Sequence, residues 1–208
     1  MSLRLVVSGS VRSVIFQRHE AHVVTTLENL LHLVVAVLPP LGGTGTCRHE
    51  AGKTVLGNDN VLMEGAHISH DTKVANRCVF GYGTKIAGDC LIEDGVIFSS
   101  SVIENAKTRV GQGAMIQAGT TFSKDVPPYI ICTKRSEYGG VNFTMGKYYG
   151  VDDKTLKHIA NAYRLVFHGQ TSVFDAVMQI EQQVPDGPEI RHIIEFIRAT
   201  KLGIISKM

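Results

Sequence analysis

Residues 56–127 read, in blocks of six, LGNDNV, LMEGAH, ISHDTK, VANRCV, FGYGTK, IAGDCL, IEDGVI, FSSSVI, ENAKTR, VGQGAM, IQAGTT and FSKDVP. The first places hold Leu56, Leu62, Ile68, Val74, Phe80, Ile86, Ile92, Phe98, Glu104, Val110, Ile116 and Phe122, so eleven of twelve are large and apolar. The fifth places, from Asn60 to Val126, are small or β-branched, and Gly, Asn and Asp crowd the second to fourth. A helix needs apolar recurrence at three and four residues. A period of six suits a parallel β-helix, in which each block is a short strand plus a turn and three blocks close a coil of about 18 residues. The stretch therefore makes about four coils. Its first residues stack inside the prism, and its turn residues face outward, where chemistry can be placed. Glu104 breaks the rule. An isolated carboxylate inside would be very costly, so it is expected to pair with Lys85, Lys107 or Arg109, or to turn outward at a local bulge.

The repeat domain spans residues 51–128, and the flanks differ in character. Residues 1–50 contain no Lys, no Asp and no hexads. They read either as a variable extension of loose strands and one helix, or as a segment taken from a shifted frame or joined artificially. Residues 129–150, YIICTKRSEYGGVNFTMGKYYG, form a connector. In residues 151–208 the period becomes helical. Leu156, Ile159, Ala160, Tyr163, Val166 and Phe167 make one apolar face closed by Gly169. Ser172 caps a second helix carrying Val173, Phe174, Val177, Ile180 and Val184. Pro188 opens a third with Ile190, Ile193, Ile194 and Ile197. The fold class expected is mainly β, a parallel β-helix with a C-terminal α-helical cap.

Bulk properties exclude several classes of function. A formal charge of +2 and a pI near 8.3 are too mild to argue for nucleic acid. The longest apolar run, Leu27 to Leu38, carries Glu28 and His32 and is too short to span a bilayer. Cys47, Cys78, Cys90 and Cys132 show no CxxC spacing, and Cys78 and Cys90 occupy small fifth places, so they read as buried thiols in a reducing compartment. A cytoplasmic protein is expected.

An 18-residue coil turns spacing into geometry. His70 and Gly88 fall at the same corner one coil apart, with Ala106 and Lys124 continuing the column. Neighbouring coils sit about 4.8 Å apart, so the imidazole lies beside an open backbone donor. A base beside such a donor is what acyl transfer to a hydroxyl requires, since one removes the proton and the other steadies the oxyanion. His67 faces the same groove and Asp71 adjoins His70. No Ser or Cys nucleophile is set beside the histidines. Two histidines also suit a metal, although a zinc site normally needs a third ligand.

These residues resemble the acyl-[acyl-carrier-protein]–UDP-N-acetylglucosamine O-acyltransferase family of lipid A biosynthesis, in its Bacteroides form. The similarity runs from about residue 52 to the C-terminus through AHISHD, DVPPYI, GVN and NAYRLVF. It implies a left-handed β-helix, a homotrimer with active sites between subunits, and transfer of a 3-hydroxyacyl group from acyl carrier protein to the 3-hydroxyl of UDP-N-acetylglucosamine. It also implies no metal and no cofactor beyond the carrier's phosphopantetheine, with the acidic carrier docking on basic cap residues such as Lys154, Lys157, Arg164, Arg191 and Arg198. Position by position, His70 resembles the general base, Asp71 its partner and Gly88 the oxyanion donor. His67, Asp89, Asn105 and Asn142 fall at substrate-binding places, and Ala118 at that of the acyl-chain ruler. The sequence departs at Asp89 and Asn105, where histidines are usual, at Ala106, where glutamine is usual, and at Tyr148 and Tyr149, where a basic pair is common. A full member also begins with about five more coils. Two other readings stand beside this one: a metal-dependent, carbonic-anhydrase-like β-helix enzyme, and a catalytically impaired or truncated remnant.

Overall fold

The computed structural model describes residues 53–169 and 171–206, together with the backbones of three strands, Val14–Gln17, Glu20–Val23 and Val35–Leu38. The helix expected within residues 1–50, and Cys47, lie outside the described residues. The repeat is a β-solenoid whose strands pair parallel with those 18 residues away. Ile92 lies between Val74 and Val110, Phe98 between Phe80 and Ile116, and Glu104 between Ile86 and Phe122. Three faces result. Lys53–Leu56, Lys73–Val74, Leu91–Ile92 and Arg109–Val110 form the first. Val61–Leu62, Val79–Phe80, Ile97–Phe98, Met115–Ile116 and Ile130–Cys132 form the second. His67–Ile68, Lys85–Ile86, Ile103–Glu104 and Thr121–Phe122 form the third. The first coil is met antiparallel by Val14–Gln17 on the first face and by Glu20–Val23 on the third.

The period has a physical reading at every place. First-place side chains fill the prism, from Leu56 to Phe122, with Phe80 and Phe98 stacked at 5.0 Å. From Asp59 to Gly119, all eleven fourth-place residues, Asp71 and Asp89 among them, have positive φ near 60–70°. That is why Gly, Asp and short polar residues collect there. Corners are also tied by side chains: Asn76 Oδ1 accepts the Asn58 N–H, and Asp94 Oδ1 accepts that of Asn76. Fifth-place hydroxyls and thiols turn inward. Burial pushes the thiols of Cys78, Cys90 and Cys132 up to about 12, and all three are free.

Glu104 corrects one expectation. It keeps its place in the strand, is 1% exposed and has no basic partner among the described residues. Its Oε1 lies 2.7 Å from Thr108 Oγ1, and its Oε2 is buried without a partner. Thr108 has a single hydroxyl proton and two acceptors in reach, Glu104 Oε1 and the Asn105 carbonyl at 2.8 Å. A protonated Glu104 resolves the conflict, because it donates to Thr108 while Thr108 donates to Asn105. Burial, with the charge of Asp125 adding to it, raises the carboxyl to about 8 against the opposing effect of Thr108, so it is neutral at pH 7. A neutral acid, rather than an ion pair, is how the prism accommodates the break in the repeat.

After the solenoid come α1 (Phe143–Tyr148), α2 (Asp153–His168), α3 (Val173–Gln183) and α4 (Pro188–Arg198). Asp152 and Ser172 cap α2 and α3 as N-terminal acceptors, and α4 begins at its proline. The apolar faces of α2 and α4 are buried as their spacing implies, except that on α2 Ala160 is only partly buried and Ala162 is fully buried. On α3 the buried set is Ala176, Val177 and Ile180, while Phe174 is 63% exposed, because it lies a full 100° around the helix from Val173. The cap is fastened to the coils by Tyr163, whose buried hydroxyl donates to the Pro128 carbonyl at 2.6 Å, and by His192, 2.9 Å from Glu93. The Glu93 hydrogen bond raises the His192 imidazole above its ordinary value. Arg109 stacks over Phe196 at 4.1 Å and donates to its carbonyl.

Candidate active site

One corner of the prism, where the third face turns into the first, gathers most of the chemistry. Its turns are stacked by backbone bonds from Asp89 N to His70 O at 3.0 Å and from Lys107 N to Gly88 O at 3.1 Å. The His70 ring occupies the space a side chain at 88 would take. A Cβ built on Gly88 would lie 2.6 Å from Cε1, 2.7 Å from Nε2 and 3.0 Å from Nδ1. Asp71 accepts from His70, with Nδ1 and Oδ2 3.0 Å apart. A carboxylate only accepts, so the proton stays on Nδ1, donated toward Asp71, and the Nε2 lone pair is left as a base. The positive φ of Asp71, 61°, belongs to the turn that brings this carboxylate beside its neighbour. His70 is about half exposed (47%) and Asp71 nearly covered (9%), so the base is open to a substrate while its partner is shielded from competing water.

His67 stands at the edge of the same groove, its Nε2 2.9 Å from Ser69 Oγ. Sequence reasoning missed Ser69, which offers no signal beyond its place between two histidines. Asp89 lies one coil below Asp71 with the same turn geometry, and exposed Asn105 and Ala106 lie one coil further. His70, Asp71, Gly88, Asp89 and Asn105 thus share one corner, with His67 on the third face beside it. Among the described residues no group of three or more His, Cys, Asp or Glu could hold a metal ion.

The remaining candidates sit elsewhere. Ala118 is exposed at the corner between the second and third faces, below Ser100 and Tyr82 in a column joined by bonds from Ser101 N to Tyr82 O and from Gly119 N to Ser100 O. Asn142 is 5% exposed and caps α1, accepting from Met145 N and donating from Nδ2 to the Gly113 carbonyl at 3.1 Å. Gly113 belongs to the corner between the first and second faces. Beside it Tyr149 lies against Gly95 with Arg77 5.1 Å over its ring, and Tyr148 is 69% exposed. Within one copy, therefore, the histidines, Ala118 and Asn142 occupy three different corners. Of the cap cations, Arg191 pairs with Asp186 and Arg198 with Glu181, while exposed Lys154, Lys157 and Arg164 have no ion pair among the described residues.

A family model described as Udp N-acetylglucosamine O-acyltransferase, Domain 2, matches residues 125–205. The acyl-[acyl-carrier-protein]–UDP-N-acetylglucosamine O-acyltransferase of Anaeromyxobacter sp. (strain K) is 30% identical over 154 residues, 74% of this chain and 60% of the relative. The crystal structure of LpxA, a UDP-N-acetylglucosamine acyltransferase from Bacteroides fragilis, is 41% identical with a TM-score of 0.70, covering 72% of this chain and 59% of that one. LpxA from Acinetobacter baumannii is 26% identical with a TM-score of 0.69 over the same 72% and 59%. The chain shares the left-handed β-helix of these structures and spans about 60% of the length of the curated relatives it matches. From its four coils through its helical cap, along about three quarters of its own length, the chain is similar to UDP-N-acetylglucosamine O-acyltransferases.

Proposed function

We propose that the chain transfers a 3-hydroxyacyl group from acyl carrier protein to the 3-hydroxyl of UDP-N-acetylglucosamine, the opening step of lipid A biosynthesis. The observation that carries this reading is the His70 ring packed on Gly88 with Asp71 on its far nitrogen. His70 Nε2 removes the proton of the sugar hydroxyl as its oxygen attacks the thioester carbonyl, and Asp71 stabilises the imidazolium that forms. The Gly88 amide stabilises the oxyanion of the tetrahedral intermediate. Collapse of that intermediate expels the carrier thiolate, which takes the proton back from His70. The steps run on the chain's own residues, with the carrier's phosphopantetheine as the only prosthetic group. We place this chemistry in the cytoplasm; no helix among the described residues is long and apolar enough to cross a membrane.

Two features support a homotrimer. Outward residues of the second face, Val61, Val79, Ile97, Met115 and Ile131, make an unbroken apolar column, whereas the corresponding column on the first face contains Lys73 and Arg109. Such a column is unusual for a free surface. In addition, Asn142 and Ala118 lie at other corners of the same copy than the histidines, so a site that uses all of them draws them from different copies. His67, Asp89, Asn105 and Asn142 then contact the sugar nucleotide, Ala118 limits the acyl chain, and Lys154, Lys157 and Arg164 receive the acidic carrier. The test is a product assay with hydroxyacyl carriers and UDP-N-acetylglucosamine on the wild type and His70→Ala. Loss of a general base costs roughly 10²–10⁴-fold in rate. Near-normal turnover in the folded variant would remove His70 from the mechanism.

A further inference from the structure

The Gly88 amide works as a donor only if its peptide is turned the right way. The Ala87 carbonyl points into the coil, where it accepts the hydroxyl of Thr72 at 2.9 Å. A trans peptide is planar, with its C=O and N–H on opposite sides, and the chain has no cis bonds among the described residues. Holding the Ala87 carbonyl inward therefore aims the Gly88 N–H outward, on the side where the His70 ring lies. Among the described residues no acceptor takes that N–H. Thr72 is fully buried, and its oxygen also accepts the Cys90 N–H at 3.3 Å, so the hydroxyl proton is committed to Ala87.

We propose that Thr72 is a positioning residue of the transfer reaction, whose hydroxyl locks the Ala87–Gly88 peptide with its N–H facing the reacting carbonyl. This rests on the reading of Gly88 as the oxyanion donor. The bond is built from a general device of the coil: Cys78 Sγ reaches the Glu93 carbonyl at 3.1 Å and Thr84 Oγ1 that of Ser99 at 3.2 Å, each 15 residues on. At Thr72 the peptide so held opens beside a histidine, and a scaffold bond becomes part of the catalytic geometry. Preorganised donors are effective because their orientation costs nothing at the moment of reaction.

The experiment compares Thr72→Val, which keeps the β-branched shape and deletes the hydroxyl, with Thr72→Ser, which restores it, and with Cys78→Ala, which removes the equivalent bond at another corner. Steady-state transfer should show kcat lowered by roughly 10–100-fold in Thr72→Val, the size expected when a reacting group is misplaced by about 1 Å. KM for both substrates should stay nearly unchanged. Thr72→Ser should recover most of kcat, and Cys78→Ala should keep it. Wild-type kcat in Thr72→Val, or an equal loss in Cys78→Ala, overturns the proposal. Crystal structures of the wild type and Thr72→Val provide the second readout: the Ala87 carbonyl should rotate away from its inward direction, and an unmoved peptide overturns the lock. If the wild type transfers nothing, the acyltransferase reading fails by itself, and the orientation of this peptide still decides the lock. Thr72→Ala replaces Thr72→Val in both measurements if the valine variant does not fold.

Discussion

Replacing Gly88 by alanine tests the site where two residues meet. The new Cβ lies 2.6–3.0 Å from three atoms of the His70 ring, whereas carbon atoms rest about 3.5–4.0 Å apart. The ring must therefore retreat by about 1 Å. The three nearest atoms all belong to this partly exposed imidazole, and Gly88 has no positive φ, so the strain is relieved by rotating a side chain and not by moving backbone. An off-rotamer side chain costs about 0.5–1.5 kcal/mol, which for a chain of this size shifts Tm by roughly 2–4 °C per kcal/mol. Activity responds on another scale, because a displacement of about 1 Å at a reacting group costs on the order of 10²-fold. Gly88→Ala should thus fold and melt within a few degrees of wild type while losing about 100-fold in kcat. Circular dichroism melts and the acyl-transfer assay measure the two quantities side by side. A variant that folds and turns over normally would falsify the assignment of His70 and Gly88 to the reacting atoms.

Further outcomes follow from other residues. Glu104 is protonated in the folded state up to about pH 8 but ionises near 4.5 when unfolded, so its contribution is fully present below pH 4.5 and is lost as pH rises toward 8. The loss between pH 5 and pH 8 amounts to roughly 3 kcal/mol; urea midpoints should fall more steeply over this range in wild type than in Glu104→Gln, and parallel curves would mean that the carboxyl is ionised inside. Ala118→Met should shift preference toward shorter hydroxyacyl carriers, since each methylene excluded from an apolar groove forfeits about 0.8 kcal/mol; an unchanged chain-length profile at retained activity places the ruler elsewhere. Ile97→Asp, in the middle of the apolar column of the second face, should dissociate the oligomer in analytical ultracentrifugation and abolish transfer, and an intact, active oligomer would show that this face is not the interface.

The six-residue period determined the solenoid because it is a local rule: every first place must be apolar to fill the prism, and every fourth place must tolerate a left-handed backbone. The same arithmetic brought His70 to Gly88, since positions 18 apart stack whatever their side chains. Helical spacing in the cap was equally legible, apart from Phe174, which is exposed although Val173 beside it packs partly buried against the core. Glu104 was legible only as an exception. Its solution, a neutral acid donating to Thr108, depends on the direction of hydroxyl and carbonyl groups around it, which no spacing encodes. Asn142 came from its motif as a substrate-binding candidate, yet the tertiary structure decided that its side chain caps α1 and ties it to Gly113. Thr72 left no mark in the sequence, being one small fifth-place residue among many. Its consequence for Gly88 arises from the orientation of a single peptide, and peptide orientation is set by the hydrogen bonds that close between coils, after the repeat has folded.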